Sequence, residues 1–326
     1  MTKAAGFGST SAPRRRRVGR YMAGILVVLV LLTVGYGTLV GWILTHPARI
    51  PLTTTPARWG LFYQNVRFET AQGHLQLRGW WIPGDSNVAL TVVFAHGYDS
   101  NREEAGIPLL AIARAVHLMG ANVLMFDFRG EGTSPGSLVS IGYHEQWDLL
   151  GAVRFAHRQA PAARIALMGY SMGASTALMT ASRTPLVSGV LADSPFADLK
   201  SYLQGSLPVW THLPAVPFNA IILAIIPRLT GINAAAVDPI NRLGALGSRP
   251  LLLIAGTQDT YIPDQNAIAL YRTARRTDPH AVLWLVPGAN HVQGFHVAPV
   301  QYLDHVYAWL HAIDPRVRKP PVSLGY

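Results

Sequence analysis

Six nearly continuous apolar runs, separated by segments with helical periodicity, constrain the fold of this 326-residue chain most strongly. Runs of this kind are typical of strands in a parallel sheet that is buried on both faces. Alternation of such strands with helices predicts a doubly wound α/β fold, whose functional side chains gather at the carboxyl ends of the strands. The runs are ALTVVFA (89–95), NVLMFDF (122–128), RIALMGY (164–170), LVSGVLAD (186–193), PLLLIAG (250–256) and AVLWLVP (281–287).

Two shorter segments before these runs alternate apolar and polar positions, which is typical of half-exposed strands. Together with the six runs, they predict an eight-stranded, mostly parallel sheet in which these two strands form an antiparallel pair. The two segments are VRFET (66–70) and HLQLRGWWI (74–82). Helical patterns fill the gaps between strands, over residues 102–120, 144–160, 172–183, 263–276 and 297–313.

One segment, residues 196–249, breaks the alternation of strands and helices. It contains WTHLPAVPFNAIILAIIPRLTG, which is unusually apolar and interrupted by prolines. A packed connecting helix would explain this stretch, and so would a small helical lid whose apolar face shapes a substrate pocket. The sequence leaves both interpretations open and slightly favours the lid.

Residues 22–44, MAGILVVLVLLTVGYGTLVGWIL, contain no charged side chain. As a helix they would be about 35 Å long, enough to cross the hydrocarbon core of a bilayer. They therefore predict a transmembrane helix. A cleaved signal peptide has a similar charge pattern, but its apolar core is typically ~7–15 residues long and is followed by an A-x-A site. A twin-arginine export signal is a weaker match, because RRVGRY fits that motif poorly.

Basic residues before this helix set its expected orientation. Because cytoplasmic flanks of membrane spans carry an excess of Lys and Arg, we expect a single-pass chain with a cytoplasmic N-terminus. The domain that follows would lie outside the inner membrane, in a bacterial periplasm or cell envelope. The inverted orientation would place that domain in the cytoplasm. The basic residues are Lys3, Arg14, Arg15, Arg16, Arg17 and Arg20.

The segments around the span and the folded domain have distinct compositions. Residues 1–21 are polar and basic and predict a disordered tail. Residues 45–63 contain several prolines and a TTT run, which predict a stalk without regular structure. The folded domain is expected over residues 64–313, followed by a C-terminal tail over residues 314–326.

Composition and charge exclude several classes of function. The chain has no cysteine, so disulfides, thiolate metal sites and a cysteine nucleophile are excluded. The net charge is +10, but six of the positive charges precede residue 21 and the rest are dispersed. Because nucleic-acid binding needs clustered cations, no nucleic-acid partner is predicted. Nothing in the sequence implies a metal, an organic cofactor or an obligate protein partner.

The sequence Gly169-Tyr170-Ser171-Met172-Gly173 follows an apolar run directly and begins a helical pattern. A serine on a sharp strand-to-helix turn projects its hydroxyl group, and flanking glycines leave room for that turn. The N-terminus of the following helix favours negative charge that develops nearby. The motif in this context predicts that Ser171 is a nucleophile.

A serine nucleophile needs a histidine base within hydrogen-bond reach, and a third group to orient that base. His291 and Asp259 each lie a few residues beyond a predicted parallel strand, in the chain order serine, acid, histidine. Asp193 competes for the role of the acid, because it ends the strand after the nucleophile helix. His296 is a weaker alternative to His291, because it is expected to lie within the last helix.

Six short segments resemble successive landmarks of the α/β-hydrolase superfamily, with the closest likeness to the bacterial serine-aminopeptidase-like branch and its single-anchor animal relatives. This resemblance implies an oxyanion hole formed by the backbone N–H groups of Tyr98 and Met172. It assigns His96, Asp127 and Arg129 to holding loops beside the site. The segments are HGYDSN (96–101), DFRGEGTS (127–134), GYSMG (169–173), ADSPFADL (192–199), GTQDTYIP (256–263) and GANH (288–291).

The resemblance and the predicted triad together imply a serine hydrolase that forms an acyl-enzyme on Ser171. An apolar lid and a membrane tether favour a small-molecule acyl substrate, namely a lipophilic carboxylic ester or thioester. An acyltransferase or a peptidase could use the same triad. A catalytically silent, membrane-anchored binding module is the alternative of another class, and the complete triad argues against it.

Overall fold

The computed structural model describes residues 12–104 and 106–319, with side chains from residue 17 onward. Predictions for residues 1–11 and 320–326 lie outside the described residues. Eight strands form one sheet in the order β1-β2-β4-β3-β5-β6-β7-β8. The strands are β1 (Gln64–Glu69), β2 (Gln76–Ile82), β3 (Leu90–Ala95), β4 (Asn122–Phe126), β5 (Arg164–Tyr170), β6 (Val187–Asp193), β7 (Leu251–Gly256) and β8 (Val282–Val286).

The eight-stranded, mostly parallel sheet predicted from the sequence is confirmed. β1 pairs with β2 and β2 with β4 in antiparallel fashion, whereas every other neighbouring pair is parallel. Every residue of β3 and β7 is buried, but β1 is largely exposed. Continuous apolar runs therefore mark the central strands, and alternation marks β1. The run at 281–287 was expected to be buried on both faces but forms the other edge strand, β8, which is mostly not buried because no strand pairs with its outer side.

Helices cover both faces of the sheet and give the three layers of the fold. One apolar core lies between the sheet and α2, α8 and α9, and a second lies between the sheet and α3, α4 and α7. The helices are α2 (Leu109–Leu118), α3 (Glu145–Gln159), α4 (Met172–Ala181), α7 (Gln265–Ala274), α8 (Gly294–Val297) and α9 (Pro299–Ile313).

The first of these helices is shorter than its sequence pattern predicts. The pattern starts at residue 102, whereas α2 begins at Leu109. The missing part forms a loop whose side chains bind groups outside the helical pattern. Arg102 forms an ion pair with Asp127 at 2.7 Å, and Glu104 accepts a 2.7 Å hydrogen bond from the N–H of Gly97. These two bonds hold residues 102–104 away from the helix.

The N-terminal apolar segment forms one helix, α1 (Ala12–Thr45). Its stretch Arg17–Thr45 has a mean hydropathy of 2.4 and is long and apolar enough to span a membrane. The helix begins earlier than the predicted boundary at residue 22, so residues 12–21 of the expected disordered tail are helical instead. Extending an existing helix adds a hydrogen bond with each residue, arginine has a high helix propensity, and Pro13 is tolerated in a first turn.

The segment between β6 and β7 begins with a hairpin of two helices, α5 (Leu199–Thr211) and α6 (Ala215–Thr230), bent by 119°. Two 3-10 helices follow, at Ala234–Ala236 and Ile240–Leu246, and the second packs on the core. α6 lies directly against α1. A Cβ added at Gly37 would come within 2.9 Å of Ile221, and a Cβ added at Gly41 would overlap Ile226. Glycine at these two positions therefore permits the close contact between α1 and α6.

The predicted stalk is irregular except for a 3-10 helix at Pro56–Trp59, and it packs along the folded domain. The guanidinium group of Arg49 donates hydrogen bonds to carbonyl oxygens of residues 132–136, including one of 2.6 Å to Gly136. Glu103 accepts a 2.8 Å hydrogen bond from the N–H of Thr53. These bonds fix α1 relative to the domain.

The close packing of α1 and α6 predicts different effects for two glycines of the same helix. In Gly41→Leu the new side chain overlaps Ile226, and overpacking of this kind costs about 1–3 kcal/mol. In this variant we expect trypsin to cleave after the exposed Arg228 of α6 at least about tenfold faster than in the unsubstituted chain, because α6 separates from α1 more often.

The matched control is Gly35→Leu, since a Cβ at Gly35 meets no heavy atom within 4 Å. Cleavage rates of both variants are measured in detergent against the unsubstituted chain. Equal cleavage rates for the Gly41 and Gly35 variants would contradict the α1–α6 contact.

Candidate active site

Ser171 lies on a strained turn between β5 and α4. Its backbone has φ +51° and ψ −116°, a conformation that non-glycine residues rarely adopt. Both flanking glycines are required by contact, because a Cβ on Gly169 would overlap the carbonyl oxygen of Gly173, and a Cβ on Gly173 would overlap that of Ala95. The N–H of Ser171 donates a 2.8 Å hydrogen bond to the carbonyl oxygen of Asp193. The strand-to-helix turn predicted for this motif is therefore present.

His291 joins Ser171 and Asp259 in a hydrogen-bonded chain. Its Nε2 lies 2.8 Å from the Ser171 Oγ, and its Nδ1 lies 2.7 Å from the Asp259 Oδ2. The other carboxylate oxygen of Asp259 accepts hydrogen bonds of 2.9 and 2.8 Å from the N–H groups of Tyr261 and Ile262. With the Nδ1 proton held by the carboxylate, Nε2 is free to accept the hydroxyl proton of Ser171.

Asp193, the alternative acid, binds a different partner. Its Oδ2 accepts a 3.0 Å hydrogen bond from the hydroxyl group of Tyr302, and its Oδ1 accepts one of 3.2 Å from Ser194. Burial raises the pKa of Asp193 to about 7, so much of it carries a proton near neutral pH. The structure therefore brings Asp259 to the histidine and leaves Asp193 as a buried structural group.

Two backbone segments lie beside Ser171, where the sequence resemblance predicts an oxyanion hole. Met172 is the first residue of α4, where an N–H has no acceptor within the helix. A Cβ on Gly97 would lie 3.5 Å from the Ser171 Cβ, so the loop after β3 passes close to the nucleophile. The N–H of Gly97 already donates to Glu104. The assignment of the Tyr98 N–H as the oxyanion donor from this loop stays a prediction.

Three other polar residues singled out in the sequence hold loops. Buried His96 donates from Nδ1 to the carbonyl oxygen of Gly97, and its Nε2 accepts a 3.0 Å hydrogen bond from the N–H of Phe128. Burial lowers the pKa of His96, which keeps it neutral. Asp127 pairs with Arg102, and Arg129 pairs with Asp148 at 2.6 Å.

His296, the weaker candidate for the base, lies in α8 and is exposed. His296 lies farther along the chain from the end of β8 than His291, so it does not occupy the position at which His291 contacts Ser171. Among residues 12–104 and 106–319, no group of three or more His, Asp and Glu side chains could hold a metal ion.

A cavity of about 450 Å³ opens over Ser171. Its other walls are predominantly apolar and come from distant parts of the chain: the loop after β3, helix α5 and the last turn of α1. Tyr98 lines it and donates a 2.6 Å hydrogen bond from its hydroxyl group to the carbonyl oxygen of Leu44. Trp210 of α5 packs edge-on against Tyr98, with ring centroids 5.7 Å apart.

Sequence reasoning missed three residues that shape this site. Glu104 fixes the loop at Gly97, and burial raises its pKa to about 7, but it sits in a stretch with helical periodicity. Leu44 lines the cavity, yet in the sequence it is one apolar residue of a membrane span. Tyr302 holds Asp193, and no local motif marks it.

Replacing each of the two buried aspartates by asparagine should lower the turnover number to a very different extent. Asp259→Asn should lower the turnover number on an activated ester about 10⁴-fold, because the amide no longer fixes the histidine tautomer. Asp193→Asn should lower it by less than about tenfold, because protonated Asp193 already resembles an amide. Initial rates of both variants are compared with the unsubstituted chain at equal folded concentration. A larger loss in the Asp193 variant would reject Asp259 as the acid.

Comparison with known proteins identifies relatives of this chain. The model of the prolyl oligopeptidase family matches residues 115–313, which include Ser171, Asp259 and His291. An uncharacterized protein of Mycobacterium tuberculosis (strain H37Rv) is 31% identical over 234 residues, covering 70% of this chain and 72% of that protein. The chain spans about two thirds to three quarters of the length of the curated relatives that it matches.

Solved structures give the same fold. The esterase Pf2001 of Pyrococcus furiosus superposes with a TM-score of 0.68 and 26% identity, over 82% of this chain and 99% of the esterase. The acylaminoacyl peptidase of Pyrococcus horikoshii superposes with a TM-score of 0.59 and 18% identity, over 81% of this chain and 43% of the peptidase. The chain therefore belongs to the prolyl oligopeptidase family within the α/β-hydrolase superfamily, and it is a hydrolase.

Proposed function

We propose that this protein is a membrane-anchored serine hydrolase that cleaves a lipophilic carboxylic ester or thioester through an acyl-enzyme on Ser171. The observation that carries the proposal is the hydrogen-bonded chain Ser171–His291–Asp259, with distances of 2.8 and 2.7 Å. A histidine that accepts the serine proton while a carboxylate fixes its tautomer is the arrangement that acyl transfer requires.

The proposed reaction has two halves. In the first, the Ser171 Oγ attacks the carbonyl carbon, His291 takes the hydroxyl proton, and the N–H groups of Tyr98 and Met172 stabilise the oxyanion. Histidine then protonates the leaving alcohol or thiol, and the acyl group remains on the serine. In the second half, His291 activates water, which attacks the acyl-enzyme and releases the acid.

The apolar walls of the cavity support a lipophilic substrate. Besides Ser171, the lining consists of aliphatic and aromatic side chains, among them Leu203, Leu207 and Trp210, and it includes no Asp, Glu, Lys or Arg. Burial of a hydrocarbon group against such walls contributes about 0.8 kcal/mol for each methylene. The esterase Pf2001 is a relative with an activity of this chemical kind.

Peptide cleavage is the second candidate, and the family match favours it. The expected likeness to the serine-aminopeptidase-like branch points the same way and stays a prediction. A peptidase would need a charged group to bind a peptide terminus, and the described lining of the cavity over Ser171 supplies none.

An acyltransferase would use the same acyl-enzyme with an alcohol acceptor in place of water. Comparing rates on p-nitrophenyl esters and aminoacyl p-nitroanilides separates esterase from peptidase activity.

The first test removes the nucleophile. Ser171→Ala should lower hydrolysis of p-nitrophenyl butyrate to below about 1% of the unsubstituted rate, since loss of a triad member costs ~10⁴-fold or more. The thermal midpoint should stay within a few degrees, because alanine fits where serine fits. Activity above that level in a folded variant would indicate another nucleophile.

We also propose that α1 crosses the inner membrane once, with the N-terminus in the cytoplasm and the hydrolase domain outside. Two features support this topology: the apolar stretch Arg17–Thr45 and the six cations before residue 21. The proposal places envelope lipids and imported esters within reach of the enzyme.

External protease added to spheroplasts tests this topology on a C-terminally tagged chain. We expect the tag and the domain to be digested without lysis of the membrane, and a cytoplasmic marker to survive. A domain that resists protease until lysis would show the inverted orientation. Recovery of the full-length chain in the soluble fraction would refute the anchor.

A further inference from the structure

A second cavity adjoins the one over Ser171, with about 560 Å³ of space that is partly open to solvent. The two cavities share four apolar lining residues: Leu44 of α1, Ile141, and Leu203 and Leu207 of α5. The second cavity continues from these residues to the groove between α1 and α6. Only the side chains that line both cavities therefore lie between them.

The lining of the second cavity suits a hydrocarbon chain. It contains no Asp, Glu, Lys, Arg or His, and only two hydroxyl side chains. Both hydroxyl groups already have partners, since Thr45 donates to the carbonyl oxygen of Trp42 at 3.0 Å and Ser140 donates to Glu145 at 2.7 Å. A polar ligand would find no free group there, whereas an alkyl chain would lose nothing on entering.

The apolar helix α1 forms one wall of this cavity. Gly41, Leu44 and Thr45 line it from α1, and Ile222 and Ile226 line it from α6. α6 packs along α1 from the C-terminal end of α1 as far as Tyr36. The ring of Tyr36 lies 6.0 Å from the ring of Phe218 in α6. The contact from residue 36 to residue 45 is about 13 Å long, so the α5–α6 hairpin lies beside the last third of the apolar stretch.

The surface of the hairpin is apolar as well. Lys200 and Arg228 lie near its two base ends, and no Asp, Glu, Lys or Arg lies between them in the sequence. At its tip Val216 is 85% exposed, and Val209 and Leu229 are also exposed. Uncovered apolar residues of this kind mark a surface that contacts a membrane or a partner, and the adjacent apolar helix α1 favours the membrane.

We propose that the second cavity binds the acyl chain of an ester that resides in the bilayer, and that this chain enters between α1 and the α5–α6 hairpin while the hairpin is embedded in the same leaflet. The inference rests on the proposed hydrolase activity and on α1 as the anchor. It assigns the anchor a second task, because Leu44 and Gly41 form part of the binding site for the substrate.

The first experiment blocks the second cavity. Leu223 lines it but does not line the cavity over Ser171. In Leu223→Trp we expect the ratio of kcat/KM on p-nitrophenyl palmitate to that on p-nitrophenyl acetate to fall on the order of tenfold or more, because each excluded methylene costs about fourfold. Leu118→Trp, at an exposed position of α2 that lines neither cavity, is the matched control, and its ratio should not change.

Ala234→Phe fills the same cavity from the 3-10 helix at Ala234–Ala236, so the test survives if the tryptophan variant fails to fold. A ratio that stays unchanged in a folded cavity variant overturns the inference and leaves the esterase proposal standing. If the unsubstituted chain did not hydrolyse p-nitrophenyl acetate at all, that result would instead contradict the proposed hydrolase function.

The second experiment tests entry from the bilayer. Because the chain has no cysteine, a fluorophore can be attached at one site in Val216→Cys and, as a control, in Arg276→Cys on exposed α7–β8 surface. In nanodiscs, brominated phosphatidylcholine should quench the fluorophore on the first variant and not on the second. Absence of quenching at the first position would place the hairpin in water and overturn entry from the leaflet.

The source of the ester is tested in the same nanodiscs. Palmitate ester dissolved in the disc that holds the enzyme should be hydrolysed at least about tenfold faster than the same amount in separate vesicles, because only the former shares its leaflet with the hairpin. Equal rates for the two sources would show that the ester arrives through water and would overturn the proposal.

Discussion

The site depends on one close approach, between the turn at Ser171 and the loop after β3. Gly173 lies so near the carbonyl oxygen of Ala95 that no side chain fits between them. This contact sets α4 against β3, next to the loop that carries Tyr98. The positive φ of Ser171 costs of order 1–3 kcal/mol, and the buried strands on either side of β5 hold it in place.

Those parts of the fold that local patterns encode could be predicted from the sequence. The central strands appear as apolar runs because both of their faces are buried. Ser171, Asp259 and His291 could be found because each follows an apolar run, although the run before His291 forms the partly exposed edge strand β8. The late start of α2 could not be predicted, since Arg102 leaves the helical pattern to pair with Asp127 at the end of another strand and Glu104 turns back to bind Gly97 in the same loop. The oxyanion pair stays a prediction from the resemblance, because backbone groups leave no mark in the side-chain pattern.

Contacts between distant segments could not be predicted from the sequence either, because local patterns do not encode them. In the sequence, Gly37 and Gly41 are two small residues in an apolar run, and only the fold shows α6 packed on them. The proline-rich segment 45–63 predicted a stalk, but Arg49 and Thr53 bind loops of the domain. These bonds hold the end of α1 beside the nucleophile, so the apolar helix contributes to the substrate cavity as well as to the predicted membrane anchor.

The central claim is that Ser171 forms the covalent intermediate, and mass spectrometry of a trapped adduct tests it most directly. The full-length protein is treated with a fluorophosphonate, which reacts with activated serines, and is then digested with trypsin. We expect one modified peptide, covering residues 165–183, with fragment ions that place the adduct on Ser171 rather than on Ser175 or Ser182. An adduct on any other residue, or an unmodified folded protein, would show that Ser171 is not the nucleophile.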